Sequence, residues 1–455
     1  MKKGLLGIMG LIGMLAALAV LAGCGKKLEF KYVSETEFLT KPAAAFPEAK
    51  FITMSDLHYF DKSLGISGQA YSNYLMEDRK LLTFSGSLLQ AAIEIIKQSP
   101  ATFVIVSGDL TKDGEKGCHE KVAEYLAEIE ASGKAVYVIP GNHDINNPDA
   151  VSYNGSNTTK VDSINDKEFE QIYGQYGYME AFNRDTNSLS YAAEPVPGLW
   201  LLCIDSTDHQ DNYKLGTPVT PGKLTQPELD WIEKILHDAV VNNKAVIAVM
   251  HHGAMAHWNG QEQLHPEYII DDYSDISKML AAYHVRVVFT GHYHANDITL
   301  KRFDNGSFLF DIETGSLVTY PCPIRVVGIG ANQKMTVNTL LIKDIPEFDG
   351  DLVAYSKKYV TEGLSSLIYH KLKKYGVDDG EAQQITPYVA EAFVMHYAGE
   401  DTNAKYEAKI DGLSLWGGIV FNNQKYVIEN LRVDLEPTDN DVVLDMKEGA
   451  WSAIK

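Results

Sequence analysis

Five short apolar runs, each ending in a cluster of histidine, aspartate or asparagine, constrain this chain more than any other feature. Residues 51–54 (Phe51-Ile52-Thr53-Met54) precede Asp56-Leu57-His58, and residues 102–106 precede Gly108-Asp109. Residues 135–139 lead to Gly141-Asn142-His143-Asp144, 245–250 to His251-His252, and 285–290 to Gly291-His292-Tyr293-His294. Short, continuous apolar runs of this kind fit strands covered on both faces. The spacing between them predicts helices over 87–97, 116–130 and 273–283. Thr225-Gln226-Pro227-Glu228 reads as a capping box with proline in the first turn, opening a helix through Leu229, Ile232, Leu236 and Val240. From Gly291 to residue 342 only strands follow, over 298–303, 307–312, 324–329 and 335–342, with Asp304-Asn305-Gly306 as a turn. Alternating β and α followed by β predicts a layered α/β core.

The chemistry falls at the carboxyl ends of the strands, where open α/β sheets place their sites. Residues two apart on extended backbone point the same way, so Asp56 with His58, and His292 with His294, aim paired donors at one place. Gly108, Gly141 and Gly291 let the chain turn there with no side chain in the way. Asp56, His58, Asp109, Asn142, His251, His292 and His294 are too many ligands for one ion. Two ions sharing a carboxylate account for them, and mixed carboxylate, imidazole and amide donors suit Mn, Fe or Zn.

The series D-x-H, G-D, G-N-H-D, H-H and G-H-x-H, in this order, resembles the calcineurin-like metallophosphoesterase superfamily over about residues 50–342. The resemblance implies an α/β fold, a two-sheet β-sandwich flanked by helices. It implies that Asp56, His58 and His294 bind one divalent ion, that Asn142, His251 and His292 bind the other, and that Asp109 bridges. A hydroxide between the ions would attack phosphorus in line with the leaving oxygen. His143 would not be a ligand: it would stabilise the transition state or protonate the leaving group, with Asp144 orienting it. Between His251 and His252 the ligand stays open, the strand register favouring His251.

Three departures narrow the implied activity. Gly253 follows the histidine pair where relatives often carry proline, so the next loop is expected to differ. Lys112 occupies the tyrosine position of purple acid phosphatases, and Gly108 to Gly114 lacks the arginine of calcineurin-type protein phosphatases. The pattern is most similar to bacterial phosphodiesterases acting on cyclic nucleotides and glycerophosphodiesters. A phosphomonoesterase or nucleotidase of the same fold is the alternative, and a lipid-anchored binding protein with a vestigial site is disfavoured by the intact ligand set.

Residues 1–23 read as a secretory signal, with Lys2-Lys3, an apolar run and Leu21-Ala22-Gly23-Cys24. The last four resemble a bacterial lipobox, which implies cleavage before Cys24, lipidation of its thiol and an extracytoplasmic, membrane-tethered protein. Residues 24–49 read as a tether, 50–345 as the metallophosphoesterase domain and 346–455 as a mostly helical C-terminal unit, whose partner the sequence does not name. Removing the leader takes two lysines and moves the charge from −21 to −23. Such acidity disfavours nucleic-acid polymers as partners and leaves a small phosphate ester as the expected substrate. Cys118, Cys203 and Cys322 match no zinc spacing, and Cys203 lies in an apolar run expected to be core. His209, His257 and His265 are further loop residues within expected reach of substrate, and Tyr153 and Trp258 are candidate stacking surfaces.

Overall fold

A computed structural model describes residues 27–76, 78–402 and 405–454. The expected leader and Cys24 lie outside the described residues, among which no helix is long and apolar enough to cross a membrane. The strands are β1 (Ala49–Met54), β2 (Phe103–Val106), β3 (Ala135–Val138), β4 (Val151–Asn154), β5 (Asn157–Lys160), β6 (Asn183–Arg184), β7 (Tyr191–Val196) and β8 (Leu199–Ile204). They continue with β9 (Ala245–Met250), β10 (Val287–Thr290), β11 (Ile298–Arg302), β12 (Phe308–Glu313), β13 (Pro323–Ile329), β14 (Lys334–Leu341), β15 (Val442–Asp445) and β16 (Trp451–Ala453).

They form two seven-stranded sheets and a small hairpin, β4-β5. The first sheet runs β16-β15-β14-β13-β1-β2-β3, with β1, β2 and β3 parallel. The second runs β11-β12-β10-β9-β8-β7-β6, with β8, β9, β10 and β12 parallel. Their inner faces share one apolar core, in which the Phe51 ring meets Phe289 edge-on at 5.5 Å. The parallel strands β2, β8, β9, β10 and β12 are buried along their whole length, as unbroken apolar runs require, and β1 and β3 along most of theirs. Helices Ser85–Gln98 and Lys116–Ala131 pack into the core of the first sheet, and Gln226–Val241 and Tyr273–Ala282 cover the second. The amide of Thr225 donates to the Glu228 carboxylate at 2.5 Å, the expected back-bond of the capping box.

The segment after residue 345 holds three helices, Leu352–Lys374, Asp379–Tyr397 and Leu415–Asn430. Their core takes in Trp258, Tyr293, Ala295 and Tyr320 from the sheet region. The chain then returns: β15 pairs antiparallel with β14, and β16 with β15. The expected C-terminal unit is therefore corrected at its end, where residues 442–453 extend the first sheet. Val442 and Leu444 bury one face of a run too short to stand out from its acidic surroundings. The polar stretch 146–166 contains the β4-β5 hairpin. Cys118, Cys203 and Cys322 are free and buried.

Candidate metal centre

The carboxyl ends of β1, β2 and β3 in one sheet and of β9 and β10 in the other converge. The sequence motifs follow those five ends directly. Asp56, His58, Asp109, His292 and His294 all have positive φ, between 38° and 75°. Each such non-glycine backbone costs on the order of 1–3 kcal/mol and persists where surrounding structure imposes it. Five of the seven expected ligands thus sit on strained backbone at one place. Gly141 has no room for a side chain: a Cβ there would lie 2.2 Å from both the amide nitrogen and Oδ1 of Asp109.

The donors form two groups that meet at Asp109. In the first, His294 Nε2 is 3.3 Å from Asp56 Oδ1, and His58 Nε2 is 3.1 Å from His294 Nε2 and 3.7 Å from Asp56 Oδ1. In the second, His251 Nε2 is 3.2 Å from Asn142 Oδ1, and Asp109, His251 and His292 bring ligand atoms within 4.8 Å of one another. Asp109 Oδ2 reaches both groups, 3.6 Å from His58 Nε2 and 3.4 Å from His251 Nε2. Ligands about 2.1 Å from one ion and about 90–110° apart stand roughly 3.0–3.4 Å from each other. The observed spacings of 3.1 to 3.7 Å are close to that arrangement. Asp56 Oδ1 has no hydrogen-bond partner although it is buried, as an oxygen reserved for a cation would be.

The rest of each side chain is anchored. Asp56 Oδ2 accepts from Ser55 Oγ and the amide of His292, and His251 Nδ1 lies 2.8 Å from the Ser107 carbonyl. Such outer contacts fix which ring nitrogen faces the centre. Burial first, and then the charge of Lys80, holds His58 well below the ordinary imidazole value. Burial, with His252 and His251, does the same to His292. Both are thereby kept in the neutral form that ligates metal. Burial would lower His251 too, but Asp109 beside it outweighs that and pushes it up to about 9. The same carboxylate would stabilise a divalent ion.

His252 turns away. Its Nδ1 is 2.8 Å from Ser206 Oγ and its Nε2 2.9 Å from the Thr220 carbonyl, so both ring nitrogens are engaged outside the cluster. His143 stands at the rim with its side chain a quarter exposed, its Nδ1 3.0 Å from Asp113 Oδ1. The expectation that Asp144 orients His143 is corrected. Asp144 accepts from the amides of Gly141, Leu110 and Thr111 and from the Thr111 hydroxyl, which ties the β2 and β3 loops together. Asp113 takes the orienting place. Burial would raise its pKa, but Lys112, paired with it, and His143 bring it down to about 2. It lies inside the Gly108–Gly114 segment, so its proximity to the motif was the available signal.

Arg79 and Lys80 escaped the sequence reading altogether, because no motif spacing marks them. Lys80 is buried, pairs with Asp78 at 3.6 Å and acts electrostatically on His58, His143 and Asp113. The Tyr268 ring lies 4.8 Å from that of His292. Of the other expected loop residues, His257 and His265 are buried, His257 against Asp297 and His265 against Trp258 and Tyr293. His209 is buried beside Thr207 and Gln210. Tyr153 packs on Phe60, Tyr71 and Tyr74, and Trp258 is fully buried, so neither is a surface for stacking substrate.

The family model for calcineurin-like phosphoesterases matches residues 49–296, more than half of the chain. No curated protein matches it. Among solved structures it is similar to a dimetal phosphatase from Danio rerio, at 14% identity over 65% of this chain and 96% of that one, with a TM-score of 0.46. It is also similar to the purple acid phosphatase PPD1 from yellow lupin, at 14% identity over 68% and 54% of the two chains, with a TM-score of 0.40. With its motif residues gathered at one pair of sheet edges, the chain belongs to the calcineurin-like phosphoesterase family and is a metal-dependent phosphoric ester hydrolase.

Proposed function

We propose that the protein is a two-metal phosphodiesterase. Asp56, His58 and His294 hold one divalent ion, Asn142, His251 and His292 the other, and Asp109 bridges them. The observation that carries this reading is the position of Asp109 Oδ2, 3.6 Å from His58 Nε2 and 3.4 Å from His251 Nε2, between two sets of donors. When bound, such ions supply Lewis-acid charge to the phosphoryl oxygens and acidify water.

The chain's own residues do the remaining work. His143 faces the substrate from the rim and, held by Asp113, delivers a proton to the departing alkoxide. Its imidazolium is favoured because Asp109 and Asp113 together outweigh the opposing effects of burial and Lys80. Lys80 and Arg79 bring positive charge to a protein that is otherwise strongly acidic. That added charge also suits the dianion of a phosphomonoester, which is the second reading.

Hydrolysis of bis-p-nitrophenyl phosphate, p-nitrophenyl phosphate and cyclic nucleotides with added Mn, Zn or Fe tests both. Preference for the diester supports the first reading, and preference for the monoester supports the second. No turnover of any substrate by protein with metal demonstrably bound refutes both. We further propose that the mature protein is tethered outside the cytoplasmic membrane through Cys24. The Leu21-Ala22-Gly23-Cys24 string supports this. Cys24→Ser is expected to move the protein from the membrane fraction to the soluble one.

A further inference from the structure

A second buried cluster lies where the sheets meet the C-terminal helices. Asp297 follows the loop that carries His292 and His294, immediately before β11. His396 is in the last turn of helix Asp379–Tyr397, and Asp401 follows that helix. His396 Nδ1 is 2.9 Å from Asp401 Oδ2 and 3.6 Å from Asp297 Oδ2. Like the donors of the main centre, these three residues bring ligand atoms within 4.8 Å of one another. All three side chains are at least 98% buried.

Two further observations point to a cation. Asp297 Oδ1 is used by His257, at 2.5 Å, but Asp297 Oδ2 and Asp401 Oδ1 are buried with no hydrogen-bond partner. A buried carboxylate oxygen without a partner costs free energy unless a cation or water satisfies it. Carboxylates also outnumber the basic groups that face them there, His257, His396, Arg325 and Arg432. Asp434 and Asp439 crowd the same space, and burial together with Asp297 drives both carboxyls upward, Asp434 to about 7. Arg325 directs its guanidinium at the carbonyls of Asp297, Glu313 and Asp439, leaving the carboxylate oxygens to other partners.

We propose that Asp297, His396 and Asp401 form a third divalent-metal site, distinct from the catalytic centre. An ion there clamps the His292–His294 loop to the C-terminal helices. Two carboxylates and one imidazole select Mn, Fe or Zn over an alkali cation, with water completing the coordination. The clamp acts where Asn296 already donates its amide to the Tyr397 carbonyl at 3.1 Å. The inference concerns binding and not turnover, so it stands apart from the substrate assignment.

The full chain, stripped with chelator, reloaded with Mn or separately with Zn, and desalted, is assayed for metal content by elemental analysis. The expected content is about three ions per wild-type chain and about two in Asp401→Asn and His396→Gln. A wild type that saturates at two, or an Asp401→Asn protein that keeps all three, overturns the proposal. Should those variants fail to fold, Asp56→Ala/His294→Ala/Asp109→Ala/His251→Ala, which removes ligands of both catalytic ions, decides. Retention of one ion by that protein supports the third site, and loss of all metal overturns it. Failure of the two-metal reading registers separately, as unchanged metal content in Asp109→Ala.

Discussion

Asp113 Oδ1 lies 3.0 Å from His143 Nδ1, and this contact sets the direction of the His143 imidazole at the centre's rim. The carboxylate is itself held by the buried ammonium of Lys112, so its position is over-determined. With Nδ1 committed as a donor, the other ring nitrogen is left for substrate.

Proton delivery matters most when the leaving group is a poor one. Asp113→Asn is therefore expected to lower kcat about 10-fold to 100-fold on an alkyl phosphodiester and much less on a nitrophenyl ester. His143→Ala should show the same asymmetry with a loss of about 100-fold or more. Steady-state kinetics on the two ester types check both, and equal losses on the two would contradict the proton-donor role.

Gly141→Ala tests the packing that positions the bridging carboxylate. The added methyl would stand 2.2 Å from Asp109 Oδ1, so either Asp109 or the loop must move. A misplacement of about 1 Å can cost about 100-fold in rate. Activity and bound metal should both fall while the far-ultraviolet circular dichroism of the fold is retained.

The adjacent histidines should separate cleanly. His251→Ala removes a donor beside Asn142 and Asp109 and is expected to abolish turnover and reduce metal content. His252→Ala removes hydrogen bonds with Ser206 and Thr220 and ring packing on His251 and His292 but no expected ligand, so it should keep its metal and lose at most about 10-fold to 100-fold in rate. Metal analysis of the two proteins side by side distinguishes them.

His119 supplies a pH prediction away from the metal ligands. It is fully buried among Thr111, Tyr173 and the Asp144 carbonyl, and burial lowers its pKa to about 3. The unfolded chain takes up a proton near pH 6.5 that the folded chain refuses. Stability is therefore present above that value and is lost as pH falls towards 3, by up to about 1.4 kcal/mol per pH unit from this group. His119→Gln should flatten the slope between those limits, measured by urea unfolding at several pH values. An unchanged slope would contradict the assignment.

The centre was legible in the sequence because each ligand follows a buried strand directly. Short-range backbone geometry then delivers Asp56 and His58, or His292 and His294, as pairs whatever lies elsewhere. The C-terminal return was not legible: Val442 to Asp445 is a strand only because β14 offers it an edge. The choice of Asp113 over Asp144, the turning away of His252 and the burial of Trp258 and Tyr153 share one cause. Each depends on which groups from distant parts of the chain compete for the same hydrogen bonds or the same space. Local order along the chain determined which residues carry the chemistry and which strand ends present them. Tertiary packing alone decided which carboxylate holds the rim histidine and that Asp297, His396 and Asp401 meet at all. Those outcomes are set by desolvation and long-range contact, which no local pattern encodes.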